Sequence, residues 1–378
     1  MKHSFAKNHD WLLIITTILL AVFGLLMVYS SSYVFALYDR GDHLYFFKRQ
    51  SMWLGISLIV FFILMHFPFR ALKKLSPLII LVSIILLILV KTPLGIEDNG
   101  AQRWLGIGSF TLQPSEFVKV GMIIYLAQVY SQKQKYINNF LTGVLPPLII
   151  VGLVLGLIMM QPDMGTATSI LLVTGLIVFF SGARMIHLGM LGTIGVGLFA
   201  YYATSETYRL NRITAFLDPF QDPSDKGHQL IQSYIAIANG GMSGTGLGQS
   251  VQKLMYLPER HTDMIMAIIS EELGLLGVLF VMACYTLILF KGVLIGVRCK
   301  DTFGSLLAFG IVFQLGFQVV FNLGAVTGLL PITGVPLPFI SSGGSSLLVS
   351  MMSIAILANI AHYNKKQARL NEDNTLSA

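Results

Sequence analysis

About ten apolar runs, each long enough to cross a bilayer, dictate what this chain of 378 residues can become. A helix needs roughly 17–25 apolar residues to span the hydrocarbon core. Such runs fall at about 11–33, 50–66, 76–91, 115–131, 143–161, 164–181, 186–204, 263–290, 303–325 and 345–362. In hydrocarbon every backbone N–H and C=O must be bonded inside the protein, so these runs read as helices. The charge content agrees: 11% of residues are charged, against about 25% in a soluble domain. The expected fold is an all-α polytopic membrane protein of about ten transmembrane helices. It forms one domain over residues 1–363, followed by a polar, disordered tail over 364–378. The first run ends in Tyr29-Ser30-Ser31-Ser32 rather than an Ala-x-Ala site, so it reads as a retained helix and not a signal peptide. Cys284 and Cys299 are too few for a disulfide framework.

Lysine and arginine set the orientation. With the N-terminus cytoplasmic, the inner segments hold Lys2, Lys7, Arg70, Lys73, Lys74, Lys133, Lys135, Arg184, Lys291, Arg298, Lys300, Lys365, Lys366 and Arg369. The short outer loops hold only Arg40, Lys48, Arg49, Lys91, Arg103 and Lys119. An even span count puts both termini in the cytoplasm and one large extracellular loop, about 205–262, between helices 7 and 8. The net charge of +7 then records which loops stay inside and does not point to nucleic acid. Most carboxylates gather on the outer side, among them Glu116, Asp163, Glu259, Asp263, Glu271 and Glu272. Longer, wetter outer loops account for much of this bias. Carboxylates at helix ends call for something more, an outward-facing polar site.

Four polar interruptions of the apolar pattern are candidates for that site. Gln113-Pro114-Ser115-Glu116 opens a helix, with Glu116 at its positive end and Lys119 on the same face at i+3. The two form either a structural ion pair or, because charge at membrane depth is costly, a functional one. Gln161-Pro162-Asp163 ends one helix, and Asp163 suits the N-cap of the next. In Leu257-Pro258-Glu259-Arg260-His261-Thr262-Asp263, Pro258 breaks any helix and Thr262 or Asp263 can cap the following one. The alternative role for Asp263 is a general base at the mouth of a membrane cavity. Glu271 and Glu272 lie two turns further in, where at least one must face protein. Finally, Gly334-Val335-Pro336-Leu337-Pro338-Phe339-Ile340-Ser341-Ser342-Gly343-Gly344 is too irregular for a helix. At membrane depth it must be buried in protein or line a cavity.

At these residues, and at Lys48-Arg49-Gln50, Gln102-Arg103-Trp104 and Glu271-Glu272-Leu273-Gly274, the chain resembles the SEDS family of bacterial FtsW, RodA and SpoVE proteins. The motifs run in family order along almost the whole chain, and the end of the first helix leans towards the FtsW branch. Ser342 departs from the pattern, which usually has tyrosine there. The resemblance implies a peptidoglycan glycosyltransferase that polymerises lipid II at the outer face of the bacterial cytoplasmic membrane, for division or wall synthesis. It implies that Asp263 is the catalytic residue. Arg49, Arg103, Glu116, Lys119 and Asp163 are implied to contact substrate, with Glu259, Arg260 and Ser341 as further candidates. The partners implied are undecaprenyl-pyrophosphate-linked glycan, a class B penicillin-binding protein and other division or elongation proteins. A divalent cation, Mg²⁺ or Mn²⁺, is suggested for the family, although no dedicated metal motif is present. The alternatives are a lipid II transporter, which needs polar residues near the bilayer midplane, and a non-catalytic division scaffold.

Overall fold

The computed structural model describes residues 10–98, 100–107, 110–204, 216–223 and 227–376. Its helices are α1 (Trp11–Arg40), α2 (Tyr45–His66), α3 (Phe69–Leu89), α4 (Pro114–Gln132), α5 (Leu145–Met159), α6 (Met164–Phe180), α7 (Met185–Thr204), α8 (His228–Gly240), α9 (Ile265–Arg298), α10 (Thr302–Val326) and α11 (Gly344–Leu376). Among the described residues, seven helices are long and apolar enough to cross a membrane: α1, α2, α3, Phe140–Met159, α9, α10 and the greater part of α11. The chain is a multi-pass membrane protein. Two more apolar helices, Met164–Phe180 and Met185–Gly197, are shorter. Helix α4 falls outside the apolar set because it carries the charge, and it compensates by burial: Ser115, Glu116 and Lys119 are all enclosed in the bundle.

Local chemistry sets the helix ends. Asp10 caps α1, Asp163 caps α6 and Asp301 caps α10, each accepting a backbone N–H of the first turn. Gly41 closes α1 in the left-handed conformation. At the end of the bundle expected to face the cytoplasm, Asp301 also accepts from Arg70 Nε at 2.9 Å. Nearby, Asn359 clamps the α2–α3 turn, donating to Met65 O at 2.8 Å and accepting from Phe69 N at 2.9 Å.

Two sequence expectations need correction. The fold is not purely helical, because a three-stranded antiparallel sheet, β1 (Gly95–Asp98), β2 (Ala101–Ile107) and β3 (Phe110–Leu112), fills the connection between α3 and α4. Its first turn is fixed by the pairing of Asp98 with Ala101 and by Gly100 at φ +73°. The sequence there is Asn-Gly, the strongest short hairpin signal. The tail over 364–376 is not disordered but continues α11, as suits its run of Lys, Gln, Ala, Arg, Leu and Glu, all good helix formers. The large outer loop is also partly structured. Helix α8 packs on α9 with Leu230, Ser233, Ala236 and Gly240 buried, and Ser233 Oγ donates to Val326 O of α10 at 2.8 Å. Residues 205–215 and 224–226 of that loop, with Glu206, Asp225 and Lys226, lie outside the described residues.

Helix α9 is broken inside its first three turns. Gly274 takes φ +61° and ψ −155°, and a Cβ there would sit 2.4 Å from Gly244 N. Only glycine permits both this backbone and this approach. The loop from Gly240 to Lys253 is thereby strapped across the kink. Gly246 N donates to Glu272 O, and Leu275 N to Gly241 O.

Candidate active site

The first turns of α4, α6 and α9 and the last turns of α10 meet at one end of the bundle, the end expected to face outward. There Arg103, Gln113, Glu116, Lys119, Asp163, Gly165, Thr166, Ser169, Gln318 and Gly334-Val335-Pro336 line a hollow. Its enclosed part is about 50 Å³, and it reaches about 390 Å³ when counted out to open solvent. Two cations and two carboxylates therefore face one space.

Each charged side chain is held by a different device. Glu116 stands in the first turn of α4, where the helix end favours a negative charge. It accepts from Lys119 Nζ at 2.7 Å, with both side chains buried. Asp163 does cap α6: Oδ1 accepts from Thr166 N at 3.1 Å and Oδ2 from Ser115 Oγ at 3.3 Å. It nevertheless still borders the hollow, so the capping and the cavity roles coincide in one residue. Arg103, on β2, donates from Nε to Gln161 O at 2.9 Å and from Nη2 to Pro162 O. Those carbonyls follow the C-terminus of α5, where a cation is favoured.

Asp263 is not itself among the residues lining the hollow, but its carboxylate lies against one of them, Gly334. Its Oδ2 lies 3.4 Å from where a Cβ on Gly334 would stand, and Gly334 has φ +72°. A side chain at 334 would be strained by that backbone, and its Cβ would touch the carboxylate. The backbone of this segment is tied down at three successive carbonyls. His261 O accepts from Ser342 N at 2.8 Å, Thr262 O from Ser341 Oγ at 2.7 Å, and Asp263 O from Asn322 Nδ2 at 2.7 Å. Ser341 thus serves as a fastener between the two irregular segments, and it also accepts from Leu337 N at 2.8 Å. Ser342, the position that departs from the family pattern, contributes its backbone.

The remaining candidates, Arg49, Glu259 and Arg260, also lie outside the lining of the hollow. Arg49 is on α2 and donates to Thr111 Oγ1, beside Gln50, which holds Ser341 O and Gly343 N. Arg260 is buried with its guanidinium 4.7 Å from the centre of the Phe35 ring and donates to Leu257 O at 3.1 Å. Burial lowers its pKa from the usual value. His261 packs against Phe46 and Phe35, and burial, aided by the neighbouring Arg260 charge, pushes its pKa down to about 4. Glu259 is exposed at a left-handed backbone position, φ +50°, and accepts from the Thr262 hydroxyl. Arg260 and His261 therefore act as an anchor for the loop that carries Asp263.

Among the described residues, no three His, Cys, Asp or Glu side chains converge as a metal would require. Glu116 is committed to Lys119 and Asp163 to the cap of α6.

Three comparisons place this geometry. The family described as "Cell cycle protein", grouping FtsW, RodA and SpoVE, matches residues 10–366. The chain belongs to this family. Stage V sporulation protein E of Bacillus subtilis (strain 168) is 43% identical over 357 residues, covering 94% of this chain and 98% of that protein. A "probable peptidoglycan glycosyltransferase FtsW" of the same organism is 45% identical, covering 97% and 93%. Among solved structures, a chain described under "Structural coordination of polymerization and crosslinking by a peptidoglycan synthase complex" superposes with a TM-score of 0.78 at 30% identity, covering 95% of this chain and 99% of that one. The rod shape determining protein RodA of Thermus thermophilus gives 0.70 at 27% identity, covering 94% and 97%.

In this FtsW/RodA/SpoVE chain, sequence reasoning found the charged residues of the hollow and its irregular Gly334-Val335-Pro336 wall, and missed Ser169 and Gln318. Gln318 lines it, and Gln314 and Asn322 stand one turn to either side on the same buried face of α10. The signal was present as amides at a spacing of four in an otherwise apolar run.

Proposed function

We propose that the chain is a peptidoglycan glycosyltransferase that polymerises lipid II, with Asp263 as the general base. The observation that carries this reading is the Asp263 carboxylate set against Gly334, at a hollow lined by Arg103, Lys119, Glu116 and Asp163. The curated FtsW relatives, named as glycosyltransferases, support it.

The donor is a glycan on undecaprenyl pyrophosphate and the acceptor is the 4-hydroxyl of the terminal N-acetylglucosamine of lipid II. Converting an α-linked pyrophosphate into a β-1,4 bond inverts the anomeric carbon once. The acceptor oxygen forms its bond to that carbon as Asp263 takes the hydroxyl proton. The carbon–oxygen bond to pyrophosphate breaks, and the leaving group carries away the electron pair. A base so placed contributes about 10²–10⁴-fold. Arg103 and Lys119 are the cations available to the departing pyrophosphate. The enclosed part of the hollow is the size of a few waters. The sugars therefore bind across its mouth, with the polyprenyl chains left in the bilayer. A Mg²⁺ or Mn²⁺ ion, under this reading, arrives with the substrate pyrophosphate. Under the same reading ten helices span the cytoplasmic membrane, α4, α6 and α7 joining the seven long apolar ones. Both termini are then cytoplasmic. The transpeptidase partner is a class B penicillin-binding protein, as the peptidoglycan synthase complex among the structural neighbours supports.

The test is to incubate the purified chain with lipid II in detergent, with and without its class B partner, and to resolve the products by gel. Glycan polymer is the expected product. Since detergent offers no second compartment, polymer also separates this reading from transport. No polymer under either condition would contradict it.

A further inference from the structure

Asn322 sits on α10, four residues beyond Gln318, and its side chain is buried. Its amide nitrogen donates twice, to Asp263 O at 2.7 Å and to Val335 O at 2.9 Å. Both N–H bonds are spent, and two carbonyls face the same atom. Turning the amide over would set its oxygen against both of them, so the orientation is fixed by chemistry. Of the three side-chain or backbone donors that hold the carbonyls of residues 261–263, Asn322 is the one that also grips the wall of the hollow, at the residue next to Gly334. It bridges the carboxylate-bearing segment and the surface that the carboxylate faces.

We infer that Asn322 is the positioning residue for Asp263, setting the distance between its carboxylate and the cavity wall at Gly334-Val335. This rests on the reading of Asp263 as base. Asn322 does not touch substrate. It acts by removing the freedom of the 263 backbone to drift from the wall, and misplacement by about 1 Å can cost on the order of 100-fold in rate.

The test compares two buried asparagines. Asn359 makes equivalent backbone bonds at the far end of the bundle, to Met65 O and Phe69 N. Asn322→Leu removes both of its donor bonds while keeping the number and branching of the side-chain heavy atoms, and Asn359→Leu removes one donor and one acceptor bond where no chemistry occurs. Polymerisation rates are measured per folded molecule over a range of lipid II concentrations, with melting temperatures. Asn322→Leu is expected to lower kcat by roughly 10–100-fold with KM within about twofold of wild type. Asn359→Leu is expected to lower the melting temperature and keep kcat. If Asn322→Leu does not accumulate, Asn322→Ser, which keeps one donor on a shorter side chain, is measured instead and is expected to show the same split. Wild-type kcat in the folded variant overturns the inference, as does an equal loss in Asn359→Leu. Asp263→Asn is assayed in parallel. If it still polymerises, the base assignment has failed. If it is inactive while the Asn322 variant turns over normally, only the positioning role has failed.

Discussion

Two clusters at the same end of the bundle each hold a pair of carboxylates and a lysine, and they are built for opposite ends. In the cluster behind the Gly274 kink, Glu272 accepts from Lys253 Nζ at 2.7 Å and from Ser30 Oγ at 2.6 Å. Glu271 accepts from Ser250 Oγ, Val251 N at 3.2 Å, Gln252 N at 3.3 Å and Asn239 Nδ2 at 3.4 Å. Every carboxylate oxygen has a partner and neither glutamate lines the hollow. In the Glu116–Lys119–Asp163 cluster the partners among the described residues are fewer, and the side chains border the hollow. A saturated buried network stiffens a fold, whereas a partly satisfied one beside a hollow has capacity left for a ligand. Residue types alone do not separate the two cases. The count of satisfied acceptors does.

The largest effect that would test this contrast is on folding. Lys253→Met leaves Glu272 as an uncompensated buried charge and should cost about 3–5 kcal/mol. A detergent melting curve superimposable on wild type would show that the network does not support the α9 kink. Lys119→Met should behave differently, because the hollow admits water to Glu116. Its stability loss should stay near 1–2 kcal/mol, while polymerisation falls about 10²–10³-fold through loss of a cation at the leaving group. The contrast is lost if Lys119→Met unfolds as readily as Lys253→Met. Asp163→Asn is a milder probe. Asparagine caps a helix about as well as aspartate, so stability should change by less than about 1 kcal/mol, and any large loss of turnover then reports the charge facing the hollow. An unchanged turnover would leave Asp163 a cap and nothing more.

The smallest effect is a pH dependence at His261. Its folded pKa is depressed to about 4 from an ordinary 6.5. Between those values the unfolded chain takes up a proton that the folded chain does not, so stability is full above about pH 6.5, falls as pH drops towards 4, and is level below that. Melting temperatures of wild type and His261→Phe should match above about pH 6.5 if phenylalanine fills the Phe35–Phe46 site, and separate as pH drops towards 4, with wild type falling below the variant. Parallel curves would mean that burial of the imidazole does not set its titration.

Much of the site was legible in the chain itself, for one physical reason. In an apolar sequence each polar or proline-glycine interruption costs free energy, so Pro114–Lys119, Gln161–Thr166, Leu257–Asp263 and Gly334–Ser346 stood out one by one. The first, second and fourth line a single hollow, and the third is fastened to the fourth and to Asn322 beside it. Two pieces of secondary structure escaped for lack of apolar length. Helix α8 is short and its buried face includes serine and glycine, and the β1–β2 hairpin was read for its charged residues while its Asn-Gly turn was passed over. Arg260 and Ser341 were expected at the substrate because they neighbour Asp263 in sequence or motif. Their side chains fasten the loop to Phe35 and to Thr262 O. Gln318 and Asn322 escaped because hydropathy averaged over a span hides amides.

The most direct test of the account is single-turnover polymerisation of lipid II by purified Asp263→Asn, with its melting temperature and its binding of fluorescent lipid II measured on the same sample. The substitution keeps the shape of the side chain and removes its ability to take a proton. Melting and binding should match wild type while polymer falls by about 10²-fold or more. Glycan formed at the wild-type rate would show that the carboxylate beside Gly334 is not the base.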